Sequence, residues 1–304
     1  MQGGILLLDK PRGLSSNAVL QRVRTLFLRI KAGHVGSLDP LATGMLPICL
    51  GEATKVAGEI VGGRKCYRFT IELGNSTTTG DAEGEVSAVA QVPALEPAAV
   101  EAVLEGFVGV SEQVPPMYSA LKHAGQPLYR LARAGVSVER APRTIELSQL
   151  RLSSLSGTSL TLEVLCSKGT YVRVLAQDIA AAVGTLGHVS ALRRLYVEPF
   201  QSEPMHTLES LGALAAQGTQ PQLLPADWPL QGLPAVRLAA AQARRVLQGQ
   251  SIAWGGDGGP SRVRLYDQAG RFLGIGDADG HGAVRPRRLF NWPAALSPPG
   301  HEAP

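Results

Sequence analysis

Short apolar runs broken by glycine and proline alternate along this chain with stretches whose apolar residues recur at helical spacing, a pattern that predicts α+β alternation. GILLL, residues 4 to 8, reads as a buried strand delivering the turn-rich string Asp9-Lys10-Pro11-Arg12-Gly13. Ser15 or Ser16 then caps a helix from Asn17 to Ile30, where Val19, Leu20, Val23, Leu26, Phe27 and Ile30 form one stripe. MLPICL reads as a strand and Glu52 to Ile60 as a short helix. KCYRFTIEL, residues 65 to 73, alternates, so Tyr67, Phe69, Ile71 and Leu73 share the inward face. A polar turn, NSTTTGDAEGEV, follows, and Pro97 opens a helix through Phe107. Ile145 to Leu152 and Ser159 to Leu165 are strands joined around Gly157, and the next helix carries Val172, Leu175, Ala176 and Ile179, with Thr170 as cap and Gly184 as stop. His206 to Gln217 is helical, residues 218 to 234 read as a linker, and Val236 to Leu247 is a helix. Strands at Arg262 to Tyr266, Phe272 to Gly276 and Ala283 to Phe290 then suggest a small barrel or roll.

Length and composition narrow the picture. A chain of 304 residues buries a sizeable core and fits one large domain plus a small one. With 44% hydrophobic and 18% charged residues the composition is that of a globular protein, and no apolar run approaches the ~18 residues that span a bilayer. The first residues lack the basic flank and cleavage site of a signal peptide, so the expected location is the cytoplasm. Cys49, Cys66 and Cys166 are widely spaced and odd in number, which argues against a disulfide framework or a zinc site.

The net charge of +4 permits nucleic-acid binding, and its distribution is more telling than its total. Between Gln113 and Arg143, Lys122, Arg130, Arg133, Arg140 and Arg143 stand against Glu139 alone, with Tyr118 and Tyr129 interleaved. That composition suits phosphate contacts and base stacking, and a solvated amphipathic helix is the alternative. Beyond residue 232 lie nine arginines and no lysine against five acids. There are no internal repeats, and the terminal SPPGHEAP offers nothing to pack, so disorder is expected there.

Candidate chemistry centres on Gly33 to Lys55, GHVGSLDPLATGMLPICLGEATK. Pro40 pushes Asp39 away from α geometry, and Gly33, Gly36 and Gly44 allow close-approaching backbone, so Asp39 projects from a loop. A helix cap at Asp39 with Pro40 at the first helical position is the other reading. No phosphate-binding glycine loop, metal triad or Ser-His-Asp string is apparent, which leaves redox, phosphoryl transfer and metal hydrolysis without a handle and points to a cofactor-free, metal-independent reaction.

The string GHxGxLDPxAxGxLPxxxGxATK closely resembles the signature of the TruB family, the tRNA pseudouridine-55 synthases. LLLDKPRGLSSN, the TxTxDAxG turn, SKGTYVR and GHVSALRRLYVEPF resemble further motifs of that family, and the likeness covers about residues 3 to 200. The resemblance implies Asp39 as the catalytic carboxylate and nucleophile, paired with Arg173, whose bidentate fork would orient it. It further implies that Tyr67 stacks on the target uracil, that Leu192 packs against the flipped uridine and that His34 enters the T loop in its place. Tyr171 stands behind them, and Lys10, Pro11 and Lys55 support the site. For each of these an ordinary core or solvent-facing role is the alternative.

The partner implied is the tRNA T stem-loop, clamped by an insertion at residues 115 to 142 that is expected to be mobile without RNA. The implied fold is α+β, a pseudouridine synthase core over residues 1–231 with a mixed, mainly antiparallel sheet and a central cleft. A small PUA-like β domain over residues 232–304 would follow, in a monomer. Converting uridine to pseudouridine detaches the base from C1′ at N1 and reattaches it at C5, after flipping at a cost of a few kcal/mol. Asp39 could attack C1′ or C6, or assist proton removal at C2′. A non-catalytic RNA-binding protein or tRNA-folding chaperone is the competing class. A glycosidase-like hydrolase would need a second carboxylate that the sequence does not identify.

Overall fold

The computed structural model describes residues 3–255, 259 and 261–291, so the terminal SPPGHEAP lies outside the described residues. The opening apolar run forms β1 (Ile5–Lys10). Ser15, not Ser16, caps helix α1 (Ser16–Leu26), its side chain accepting from the Ala18 N–H. The helix stops short of Ile30 because Leu28 and Arg29 take left-handed backbone, φ 52° and 57°, a turn that brings Phe27 and Ile30 back onto the apolar cluster over β1.

Next come β2 (Ala32–His34) and β3 (Thr43–Leu50). The helical stretch expected from Glu52 divides into a 3₁₀ turn, Gly51–Val56, and α2 (Ala57–Gly62). β4 (Lys65–Leu73) buries Tyr67, Phe69, Ile71 and Leu73 and exposes Arg68, as its alternation requires. The polar turn connects β5 (Asn75–Thr77) to β6 (Val86–Val89), and α3 (Pro97–Glu105) begins on its proline. β7 (Gly109–Gln113) leads into the insertion, built of β8 (Lys122–His123), β9 (Gln126–Pro127) and α4 (Leu128–Arg133). β10 (Arg143–Ser156) and β11 (Ser159–Cys166) form a long hairpin that already includes Arg143. α5 (Val172–Ala182) starts from Tyr171 and not from Thr170, whose hydroxyl donates to the Ser167 carbonyl instead. β12 (Gly187–Val197) and α6 (Leu208–Ala216) complete this half.

The main sheet runs β1-β3-β12-β4-β11-β10-β7, with β2 also on β3. Every pairing is antiparallel except β3 with β12, which is parallel and holds by two residue pairs only, Arg193 with Thr43 and Arg194 with Gly44. The rest of that edge of β3, from Ile48 to Leu50, pairs with β2. The loop between β2 and β3 therefore sits where the sheet is barely joined, and this junction is the cleft. Gly44 makes the close approach possible: its φ is +98°, and a Cβ there would lie 2.1 Å from the Arg194 carbonyl oxygen.

Residues 218–234 are not a loose linker. Leu224 exchanges both backbone hydrogen bonds with Ile5, and Ala226 and Leu230 are buried, because the apolar residues among the prolines find the open edge of β1. Beyond them, β13 (Ala235–Arg237) replaces the first turn of the expected helix, since Val236 alone of those three residues turns inward. The helix itself, α7, is Ala240–Leu247. With β14 (Ile252–Ala253), β15 (Ser261–Tyr266), β16 (Phe272–Ala278) and β17 (Ala283–Leu289), the C-terminal sheet has the order β13-β15-β16-β17-β14. Phe272, Ile275 and Phe290 pack in one apolar cluster with Ile5, Leu7 and Met45. The three cysteines are free and buried, and among the described residues no helix is long and apolar enough to cross a membrane.

Gly44→Ala is expected to destabilise the protein by about 2–4 kcal/mol, from left-handed strain plus overlap with β12, whereas Gly33→Ala, with open space around its Cβ position, should change stability by under about 0.5 kcal/mol. Urea unfolding of the two variants beside wild type measures the difference.

Candidate active site

Asp39 occupies a turn, not a helix. Its carbonyl accepts from the Ala42 N–H at 3.1 Å with Pro40 in the second position, where the fixed φ of proline suits a turn. Side chains from three other elements hold that turn. From α1, the Ser16 hydroxyl accepts from the Leu38 N–H at 2.8 Å and donates to the Leu38 carbonyl at 3.0 Å. From the end of β1, the wholly buried Lys10 donates through Nζ to the carbonyls of Pro11, Pro40 and Ala42 at 2.9, 3.2 and 2.6 Å. From β12, the Arg194 guanidinium, 1% exposed, donates to the Gly36 and Met45 carbonyls at 3.0 and 2.7 Å. Backbone oxygens thus satisfy two buried cations beneath the loop, as burial of a charge requires.

Arg173 stands in the first turn of α5 and points across the cleft. Its Nε donates to Asp39 Oδ2 at 2.9 Å and lies 3.5 Å from Asp81 Oδ2. The two Nη groups do not join in: they donate to the carbonyls of Thr79 and Tyr118, at 2.6 and 2.7 Å. The expected bidentate grip on Asp39 is therefore a single contact, because the fork is shared among several chain segments. Asp81 is itself fixed by the Thr79 hydroxyl at 2.6 Å and the Glu83 N–H at 3.1 Å. Arg173 and Asp81 are buried, while the Asp39 side chain remains 41% exposed. Of the three charged groups, Asp39 is the one a ligand reaches.

Two cavities meet at Asp39 and Arg173. The smaller, about 360 Å³, is walled by Tyr67, Leu192 and Tyr171, with Lys65 and Arg194 also lining it. The larger, about 940 Å³, is lined by His34, Tyr118, Tyr129 and Arg133 on one part and Asp81, Glu83 and Glu85 on another. Burial pushes the Tyr67 hydroxyl above its usual range, opposed by Arg194 beside it, and burial likewise raises Tyr171. Burial, then Arg194, lowers His34, which is neutral at pH 7. Desolvation lowers Lys10 and Lys65 to about 8 each.

The structure thus brings Asp39, Arg173, Tyr67, Tyr171, Leu192 and His34 together, with Lys10 and the Pro11 carbonyl beneath them. Lys55 is not among them. Its ammonium donates to Glu52 and to the Leu289 carbonyl and lies over the Phe290 ring, so it ties the 3₁₀ turn to the C-terminal sheet. Of the basic residues in and beside the insertion, Arg133 lines the larger cavity. Lys122, Arg130 and Arg143 are exposed and line neither, and Arg140 is half-buried. The sequence offered Ser16 only as a helix cap and Asp81 and Arg194 only as members of motifs, without the contacts they make here. The spacing of Arg194, two residues after Leu192 on the same face of β12, is the one signal that pointed to it. Among the described residues no group of three or more His, Cys, Asp or Glu is placed to hold a metal ion.

Comparison with known proteins gives three family matches. Residues 24–172 match the N-terminal domain of the TruB family pseudouridylate synthases, residues 173–231 the C-terminal domain of tRNA pseudouridylate synthase B, and residues 234–290 the C-terminal region of pseudouridine synthase II TruB. A tRNA pseudouridine synthase B of Chromohalobacter salexigens is 50% identical over 290 residues, covering 95% of this chain and 94% of that one. The protein of that name from Nitrosospira multiformis is 45% identical, covering 96% and 97%. Among solved structures, a Cbf5-Nop10-Gar1 complex contains a chain of the same fold, with a TM-score of 0.70 at 22% identity, covering 95% of this chain and 85% of that one.

The buried Lys10 gives a pH test of the support beneath the loop. Its folded-state value, about 8, lies below its ordinary 10.5, so the unfolded chain holds the proton more tightly and stability rises as pH climbs between those values. Wild type should gain on the order of 2–3 kcal/mol relative to Lys10→Met across that window. Denaturant unfolding at pH 7.5 and 10 reads it, and a parallel response in both proteins would refute it.

Proposed function

Because the chain belongs to the TruB family of pseudouridylate synthases, we propose that it isomerises uridine 55 in the T loop of tRNA to pseudouridine, with Asp39 as the essential carboxylate. The observation that carries this reading is a partly exposed carboxylate, ion-paired to Arg173, at the mouth of a chamber walled by Tyr67 and Leu192. The chamber of about 360 Å³ accommodates a pyrimidine, and the aromatic and aliphatic walls favour a flat, weakly polar ring.

The larger cavity takes the loop from which that base is flipped, with His34 filling the vacated place and Tyr129 and Arg133 available for stacking and phosphate contact. Asp39 acts at C1′, at C6 or in proton removal at C2′, and each route requires an unprotonated carboxylate close to the sugar. The C1′–N1 bond breaks, the base turns, C1′ bonds to C5, and the C5 proton is lost while N1 gains one. The reaction is redox-neutral. Arg173 orients the carboxylate through Nε, and its remaining contacts prevent it from following Asp39 when substrate enters.

The rest of the reading concerns RNA. Residues 115–142, carrying Lys122, Arg130, Arg133 and Arg140, clamp the stem-loop with Arg143 at their root. Residues 232–304 form a PUA-like RNA-binding unit beside a catalytic unit of residues 1–231. The protein works as a cytoplasmic monomer. Three exposed arginines of β17, Arg285, Arg287 and Arg288, of which Arg287 pairs with Asp277, support the RNA-binding role of the C-terminal sheet.

Two outcomes are expected. Wild type releases tritium from a T-arm stem-loop labelled at uridine C5, while Asp39→Asn binds it within a few-fold of wild type and releases none. Binding without release by both would favour the chaperone reading. In limited proteolysis, cleavage within residues 115–142 of the free protein should be suppressed by the stem-loop, and equal resistance with and without RNA would argue against a clamp.

A further inference from the structure

Gln113, the last residue of β7 and the last to pair with β10, opposite Arg143, is 5% exposed. Its side-chain amide addresses both backbone groups of Tyr171. Oε1 accepts from the Tyr171 N–H at 2.8 Å, and Nε2 donates to the Tyr171 carbonyl at 3.2 Å. Tyr171 is the residue from which α5 starts. Its carbonyl also accepts from the N–H groups of Val174 and Leu175, both at 3.1 Å, and it has no side-chain cap of its own. The amide of Gln113 therefore fixes the start of the helix that carries Arg173, two residues on.

The same segment reaches Arg173 a second time. Five residues beyond Gln113, the Tyr118 carbonyl accepts from Arg173 Nη2 at 2.7 Å. One short stretch, at the root of the basic insertion, thus grips both the backbone that delivers the guanidinium and the guanidinium itself. A helix whose first turn shifts by a fraction of an ångström moves Nε away from Asp39, and misplacement of ~1 Å can cost on the order of 100-fold in rate. A merely packed glutamine would not need both amide atoms matched to one residue's N–H and C=O, the pairing geometry of a β bridge.

We propose that Gln113 is a positioning residue for the isomerisation, setting Arg173 and through it Asp39 by pinning the backbone of Tyr171 at the insertion root. This rests on the reading of the site as a pseudouridine-forming one. Gln113 touches no substrate, so its removal leaves RNA binding intact and slows the chemical step.

The test is single-turnover pseudouridine formation in a T-arm stem-loop, with stem-loop Kd and thermal midpoint measured on the same samples. Gln113→Leu should lower the rate by about 10- to 100-fold with Kd within about twofold of wild type. Gln113→Glu, of the same shape, keeps the acceptor for the Tyr171 N–H but loses the donor to its carbonyl, so its rate should fall between the two. It also carries the comparison if the leucine variant does not fold. A wild-type rate in Gln113→Glu, or a loss appearing in Kd instead of rate, would overturn the proposal and leave the site's reading standing. No pseudouridine from wild type would overturn both.

Discussion

A guanidinium buried in the first turn of a helix is the constraint around which this cleft is built. Helix N-termini disfavour positive charge, and a cation removed from water must be paired and hydrogen-bonded in full. Arg173 meets both demands by drawing on the β2–β3 loop through Asp39, on the β5–β6 turn through Thr79 and Asp81, and on the insertion through Tyr118. A buried ion pair of this kind contributes more to geometry than to net stability, because desolvation offsets much of the attraction. Its effect is to make distant segments mutually dependent. Lys10, Ser16 and Arg194 complete the arrangement by holding the loop's backbone, and of Asp39, Asp81 and Arg173 it is Asp39 that retains access to solvent.

Much of this was legible in the sequence, and what was not follows a physical pattern. Alternation in β4 placed Tyr67 inward correctly because a two-residue period is a local property. The Asp39 loop was legible from Pro40 and its glycines, and the partnership of Arg173 with Asp39 came from a family likeness, not from periodicity. The contacts of Asp81, Gln113 and Arg194 were not legible because they join residues across long chain separations, which no local pattern encodes. Lys55 was grouped with the site because it closes the family motif that contains Asp39, yet β3 and the 3₁₀ turn carry it to the C-terminal sheet. The same cause explains residues 218–234, where proline and glycine suggested a tether while Leu224, Ala226 and Leu230 were apolar enough to pack.

The cations under the site deserve comparison with the acids around it. Lys10, Lys65 and Arg194 are buried and bonded chiefly to backbone carbonyls, whereas Glu83 and Glu85 sit at the exposed rim of the larger cavity. Positive charge is thus internal and structural here, and the groups that would repel a phosphate chain lie at the edge. Of the insertion's arginines, Arg133 lines that same cavity, so in the proposed function the positive charge a polyanion meets lies past the acidic rim.

The apolar cluster shared by Phe272, Ile275 and Phe290 with Ile5, Leu7 and Met45 means that the boundary near residue 231 marks a change of sheet, not an energetic seam. Chain cut there would leave one wall of a core facing water. Folding cooperativity therefore spans the whole described length, and a substitution at Phe272, Ile275 or Phe290 is communicated as lost stability to the strand that ends at Lys10, directly beneath the turn of Asp39.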